Sequence, residues 1–190
     1  YSINYVAGTL TITAPKMAIT VNGDSGTLVY NGQEQTYTGT VTATSTDAAF
    51  DASKFSYKGS VAVKGKDVSV YTTQLNKDDC VYSDKNYTGD WTIGTPISLE
   101  ITPKSITGAT VLLDKTQLTY NGSEQTVNVT GVTIDGLSLT SNDYEVTGNK
   151  GKDKDTYTVT VTGKGNYKDS ATAEWSIVAK AMTVSATGFT

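Results

Sequence analysis

Two carboxylates recur in one sequence context: Glu34 in YNGQEQT (30–36) and Glu124 in YNGSEQT (120–126). Paired carboxylates can cleave a glycosidic bond, one as general acid and the other as nucleophile or base. These two, however, belong to separate copies of one stretch, and a residue repeated at a strand start reads as a fold determinant. The chain has no His, which removes the commonest general base and the commonest metal ligand. It carries no nucleophile elbow and no phosphate loop. The expectation is a protein that is not an enzyme and needs no cofactor.

Three further groups of residues could do chemistry. The stretches 76–84 (NKDDCVYSD) and 148–157 (GNKGKDKDTY) concentrate oxygen donors, but a calcium loop needs six to eight oxygens converging at fixed spacing. Neither stretch has that spacing, and interleaved lysines oppose a cation, so no metal site is expected. Trp91, with Asp90 and Tyr87 beside it, has no counterpart at the same position of the second copy. An aromatic face with a polar neighbour can stack on a sugar ring, which makes Trp91, Asp90 and Tyr87 the candidate ligand-binding set. The competing reading places Trp91 under a longer loop, since large aromatics are mostly buried. Trp175, on one face with Ala173 and Ile177, reads as core. Cys80 is the one cysteine; it cannot form an internal disulfide and reads as a buried, inert thiol.

The composition bounds what these residues can serve. The chain has 190 residues, 18% of them charged, 34 threonines and a net charge of −4, and all its basic residues are Lys. Threonine suits the wet face of a half-buried sheet. Without Arg and without a basic face, nucleic acid is not an expected partner. No apolar run reaches the roughly 18 residues of a membrane helix, so no membrane insertion is expected.

The elements that position these residues come twice. Besides the Tyr30-Asn31-Gly32 and Tyr120-Asn121-Gly122 turns, KGKD recurs at 64–67 and 150–153. Asn86-Tyr87 returns as Asn166-Tyr167, and ISLEITPK (97–104) as AEWSIVAK (173–180). The order is the same both times, which marks a tandem array. The first copy is the longer one, and insertions belong in surface loops. YSINYVAGTLTITAPK (1–16) reads as the tail of an earlier copy, and AMTVSATGFT (181–190) as the head of a later one. The expected divisions are therefore 1–16 (tail strands), 17–104 (an embellished repeat), 105–180 (a second repeat) and 181–190 (a first strand).

Within each copy the period is two. Tyr157, Val159 and Val161 alternate with threonines in TYTVTVTG, and Ile97, Leu99 and Ile101 share a face, as do Val61 and Val63, and Leu10 and Ile12. That is the half-buried strand pattern. Asn-Gly at 22–23, 31–32 and 121–122 and Asp-Gly at 135–136 predict turns at positive φ. Only 47–55 could hold a turn or two of helix. Short strands punctuated by turns predict an all-β fold: two tandem immunoglobulin-like β-sandwiches. Pro15 and Pro103, each before a closing Lys, predict short stiff links and an elongated arrangement, with partial repeats at both ends.

The Tyr-Asn-Gly turns, the stretch 143–180 and YSINYVAGTLTITAPK together resemble the tandem immunoglobulin-like repeats of large bacterial cell-surface proteins, most nearly the MBG-like and YDG-like modules. The resemblance covers essentially the whole chain. It implies a secreted or wall-attached location on the bacterial surface, in proteins often termed adhesins. There, many modules form a stalk that presents a distal functional domain, and neighbouring repeats of the same chain are the partners. The alternative is a binding module for host glycans or mucin, built by the first repeat around Trp91.

Overall fold

A computed structural model describes residues 1–4 and 7–183. Among these, every regular element of more than one turn is a strand. In chain order the strands are β1 (Lys16–Gly23), β2 (Ser25–Val29), β3 (Gln35–Thr38), β4 (Val41–Thr44), β5 (Phe55–Tyr57), β6 (Ala62–Gly65), β7 (Ser69–Thr73), β8 (Cys80–Tyr82), β9 (Thr88–Ile93) and β10 (Ile97–Thr102). They continue as β11 (Lys104–Ser105), β12 (Thr110–Leu113), β13 (Gln117–Thr119), β14 (Gln125–Thr126), β15 (Val129–Ile134) and β16 (Leu137–Leu139). The last are β17 (Tyr144–Thr147), β18 (Lys150–Gly151), β19 (Asp155–Gly163), β20 (Tyr167–Lys168) and β21 (Ser170–Val178). Single 3₁₀ turns at Ala52–Lys54 and Lys77–Asp79 are the helical content of the described residues. The fold is all-β and consistent with a β-sandwich.

The chain forms two compact units that interleave in sequence. One comprises Tyr1–Thr27, Gln35–Gly65 and Val70–Glu100; the other comprises Leu28–Glu34, Lys66–Ser69 and the chain from Ile101 onward. In the first unit β1 lies between β4, antiparallel, and β9, parallel. The antiparallel pairs β3 with β6 and β5 with β8 add to it, and a further sheet has the order β2-β10-β7. Met17, Ile19 and Val21 project from one face of β1 and are buried with Val63, Leu75, Ile97 and Leu99. Thr20 and Asn22 alternate with them, so the period-two pattern translates directly into one dry face.

In the second unit the main sheet runs β13-β21-β19-β17, with the long antiparallel β19–β21 ladder at its centre. The sheet β12-β15-β16 and the pairs β14–β18 and β11–β20 make up the rest. Val159 and Val161 of β19 and Trp175 and Ile177 of β21 are buried, joined by Ile106, Val127 and Val132. Trp175 is 1% exposed, stacks on Tyr157 at 4.7 Å between centroids, and donates its Nε1 proton to the Gly148 carbonyl at 3.1 Å. The indole thus has an apolar bed and a partner for its one polar atom, the two conditions for burying a Trp. Asp135 and Gly136 both take positive φ and close the β15–β16 hairpin as Asp-Gly pairs do.

Two expectations fail. Asn22-Gly23 is not a positive-φ turn but the end of β1. Gly23 lies so close to Ile97 that a Cβ would overlap its backbone and side chain. The glycine here serves close approach rather than backbone handedness. Leu10 and Ile12, expected to face inward, are 86% and 87% exposed, and no strand is formed before Lys16 among the described residues. Alternation buries a face only where a second strand pairs with the first, and no described strand pairs with 7–14. The expected strand at 181–190 lies, from residue 184 on, outside the described residues.

Trp175→Ala removes the largest buried side chain of the second unit and should lower stability by about 3–5 kcal/mol. Val70→Ala, at a site 63% exposed, should cost a small fraction of that. Urea unfolding of both variants checks this; equal midpoints would refute the placement of the core.

Candidate functional site

The repeated Tyr-Asn-Gly turn is built the same way twice. The Asn31 carboxamide oxygen accepts from the Gln33 amide at 2.9 Å, and that of Asn121 accepts from the Ser123 amide at 2.9 Å. Each Asn thereby closes a local turn with its own side chain. Gly32 and Gly122 come next, at φ of 80° and 84°, a region that glycine enters without steric cost. The preceding tyrosines anchor the turn: the Tyr30 amide donates to the Thr102 carbonyl and the Tyr120 amide to the Val178 carbonyl, both at 2.9 Å. After the turn, Gln35 pairs with Gly65 and Gln125 with Gly151. The rings of Tyr71 and Tyr157 lie over those two glycines, where a Cβ would collide with them.

Glu34 and Glu124 stand on the exposed side of this arrangement. Glu124 faces Lys150 at 3.6 Å, with both side chains more than 60% exposed. An exposed ion pair of this kind contributes little to stability.

The second unit also joins segments far apart in sequence. Asn166, in the turn before β20, donates its Nδ2 proton to the Asp67 carboxylate at 2.9 Å, and its Oδ1 accepts from the Val68 amide at 2.7 Å. The Lys104 amide donates to the Asn166 carbonyl at 3.0 Å, and the Ile106 amide to the Lys168 carbonyl at 2.9 Å. Both polar atoms of the Asn166 side chain are therefore engaged. Beside it Tyr167, 6% exposed, packs edge-to-face on Tyr30 with centroids 5.4 Å apart. Burial pushes the Tyr167 phenol up to about 12, and Tyr30 and Asp143 push the same way. It is a packing group rather than a proton shuttle.

The candidate ligand-binding residues fall on β9 and just before it. Asp90 is exposed and Trp91 half-buried, on opposite faces of the strand. Trp91 lies over Gly89 and meets Phe55 at 5.9 Å with the rings tilted by 55°. Tyr87 is half-buried. The three therefore do not share one face. The turn that carries Tyr87 is organised by Asp84, whose carboxylate accepts from the Asn86 amide at 2.7 Å, from the Tyr87 amide at 3.2 Å and from the Lys54 ammonium at 2.7 Å. The Lys54 bond, then the Asn86 amide, holds Asp84 below the ordinary carboxylate range. Cys80 is buried, donates to the Asn76 carbonyl at 3.5 Å, and has its thiol pushed up by burial, which is the setting of an unreactive cysteine.

Two aspartates outside every sequence motif hold equivalent places. Asp24 accepts from the Thr40 amide at 2.9 Å and the Thr40 hydroxyl at 2.6 Å, while its own amide donates back to the Thr40 carbonyl at 3.2 Å. Asp114 accepts from the Asn128 amide at 2.8 Å and the Asn128 Nδ2 at 2.9 Å, and its amide donates to the Asn128 carbonyl at 2.9 Å. Each is a three-bond clamp between two chain segments. The signal is present in the sequence: Asp24 precedes Tyr30 by the same interval as Asp114 precedes Tyr120. Thr40 and Asn128 differ in type, which hides the match.

Among the described residues no three His, Cys, Asp or Glu side chains converge as a metal-binding group. No described helix is long and apolar enough to cross a membrane. No protein-family model, no curated protein and no solved structure matches this chain.

The clamps make stability depend on pH. The hydroxyl and amide of Thr40 hold Asp24 below its ordinary value of 3.8, and the amide and carboxamide of Asn128 do the same for Asp114. A depressed folded-state value means that the contribution is complete above the ordinary value and is lost as pH falls through the folded one. The double variant Asp24→Asn, Asp114→Asn should be less stable at neutral pH and should lose less stability on acidification to about pH 3. Urea midpoints across that range test this, and an unchanged acid slope would exclude the clamps as a source of it.

Proposed function

We propose that this chain is a spacer: tandem immunoglobulin-like modules in the stalk of a bacterial surface adhesin, presenting a distal functional domain to the outside. The observation that carries the proposal is the double construction of one framework. The same Asn-closed turn, the same Tyr amide bond to a late strand and the same aspartate clamp occur in both halves of the sequence. Residues that recur in this way are those that hold backbone to backbone. A chain selected for a reaction would instead repeat, or keep once, a group poised toward substrate.

Support also comes from how the polar side chains are used. Asn31, Asn121, Asp24, Asp114, Asp84 and Asn166 each accept from a backbone amide, so their hydrogen-bonding capacity goes into fixing loops. For a spacer whose work is length and resistance to unfolding, that is the appropriate use. Neighbouring repeats of the same chain are its partners in this reading, and the extracellular bacterial surface is its place.

The competing assignment, a glycan- or mucin-binding module at Trp91, has a direct test. The whole chain is displayed multivalently, because avidity reveals weak single-site contacts, and is probed on glycan and mucin arrays. The spacer reading expects no binding, and the same silence from Trp91→Ala. Binding that disappears in Trp91→Ala, with the fold intact by circular dichroism, would replace the spacer with a lectin-like module.

A further inference from the structure

The Asn166 clasp has a second edition in the same unit, open among the described residues. In the occupied one, Tyr30 supplies an aromatic ring, Asp67 a carboxylate and Val68 an amide to the Asn166-Tyr167 turn. In the sequence Tyr30 belongs to the first YNGxEQT stretch, and Asp67 ends the first KGKD. The second copies of those stretches place Tyr120, Asp153 and Lys154 at the corresponding positions. The structure gathers these three, with Ala179, Lys180 and Met182, around one concavity of about 450 Å³. The local frameworks agree in detail, since Tyr30 and Tyr120 are anchored by the same backbone bond and Gly65 and Gly151 lie under equivalent tyrosine rings. The backbone of Asp153 is fixed on both sides: the Tyr157 hydroxyl accepts from its amide at 3.1 Å and donates to its carbonyl at 2.8 Å. Tyr120 is 37% exposed and Met182 87% exposed.

We infer that the Tyr120, Asp153 and Lys154 face is a receptor for an Asn-Tyr turn, and that the Asn86-Tyr87 turn of a second copy of this chain occupies it. The sequence has two further Asn-Tyr pairs, Asn4-Tyr5 and Asn86-Tyr87, and of these Asn86-Tyr87 lies wholly within the described residues. Its Asn is exposed, and Asp84 fixes both of its backbone amides, so the turn is presented already ordered and its docking costs less entropy. In the complex the Asn86 carboxamide donates to the Asp153 carboxylate and accepts from the Lys154 amide, while the Tyr87 ring meets Tyr120. Donor face and receptor face are different surfaces, so the association is head-to-tail rather than isologous.

The receptor face is supported by the occupied clasp and the sequence recurrence, not by the spacer role, and the two can fail separately: the glycan array reads Trp91, whereas a titration reads Asn86. Isotope-labelled wild-type chain, kept dilute, is titrated by NMR with unlabelled chain carrying Tyr120→Ala and Asp153→Ala, up to about 1 mM, where contacts of about 4 kcal/mol become visible. The unlabelled variant retains the donor turn and has lost its own receptor. Saturable shifts of the Asp153, Lys154 and Lys180 amides are expected. Adding Asn86→Asp to the unlabelled chain, which sets a carboxylate against Asp153, should abolish them. Unlabelled wild-type chain should give the same shifts and covers the case in which the receptor variant does not fold. Absence of shifts at these amides, or shifts that survive Asn86→Asp, would overturn the inference.

Discussion

One backbone hydrogen bond in each half of the chain governs much of the rest. The Tyr30 amide reaches the Thr102 carbonyl, and the Tyr120 amide the Val178 carbonyl. The bond joins each Tyr-Asn-Gly turn to a strand more than fifty residues further along the chain. With that point fixed, the neighbouring Asn side chain can close its turn, the glycine can take positive φ, and the next strand enters the ladder in register. Gln35 then meets Gly65 and Gln125 meets Gly151, glycines whose lack of a Cβ leaves room for Tyr71 and Tyr157. A shift of this bond by one residue would exchange the inner and outer faces of the strand it admits.

The chemistry of the acidic residues derives from the same constraint. Asp24, Asp84 and Asp114 accept from backbone amides, and each is held below the ordinary carboxylate range by its hydrogen-bond donors. A carboxylate committed in this way is a poor proton donor at neutral pH. The groups best suited by type to react are therefore those most fully employed in the framework. In the Asn166 clasp the same economy applies to a neutral side chain, whose donor and acceptor are both matched by residues 67 and 68.

Legibility in the sequence tracks local pattern. The alternation in 156–163 and 97–101 marks the buried faces of β19 and β10, Asp135-Gly136 marks a hairpin, and Trp175 is placed in the core by its neighbours on β21. Features that depend on partners distant in sequence stay hidden. The role of Gly23 is set by Ile97 across the fold, and the alternation of Leu10 and Ile12 does not supply a pairing strand. Asp24 and Asp114 escape notice because their partners, Thr40 and Asn128, differ in type while making the same bonds. The inclusion of 28–34 and 66–69 in the second unit is likewise a matter of long-range packing. Of the candidate binding set, the order Asp90-Trp91 is visible in the sequence, but strand geometry sends adjacent side chains to opposite faces, which separates them.

A load-resisting spacer is tested most directly by pulling the whole chain from its two ends in a single-molecule force experiment. Cross-strand pairing held by the Tyr30–Thr102 and Tyr120–Val178 backbone bonds predicts discrete, cooperative rupture events, reproducible on refolding. Smooth extension without rupture peaks, as from a chain that yields strand by strand, would contradict the spacer role.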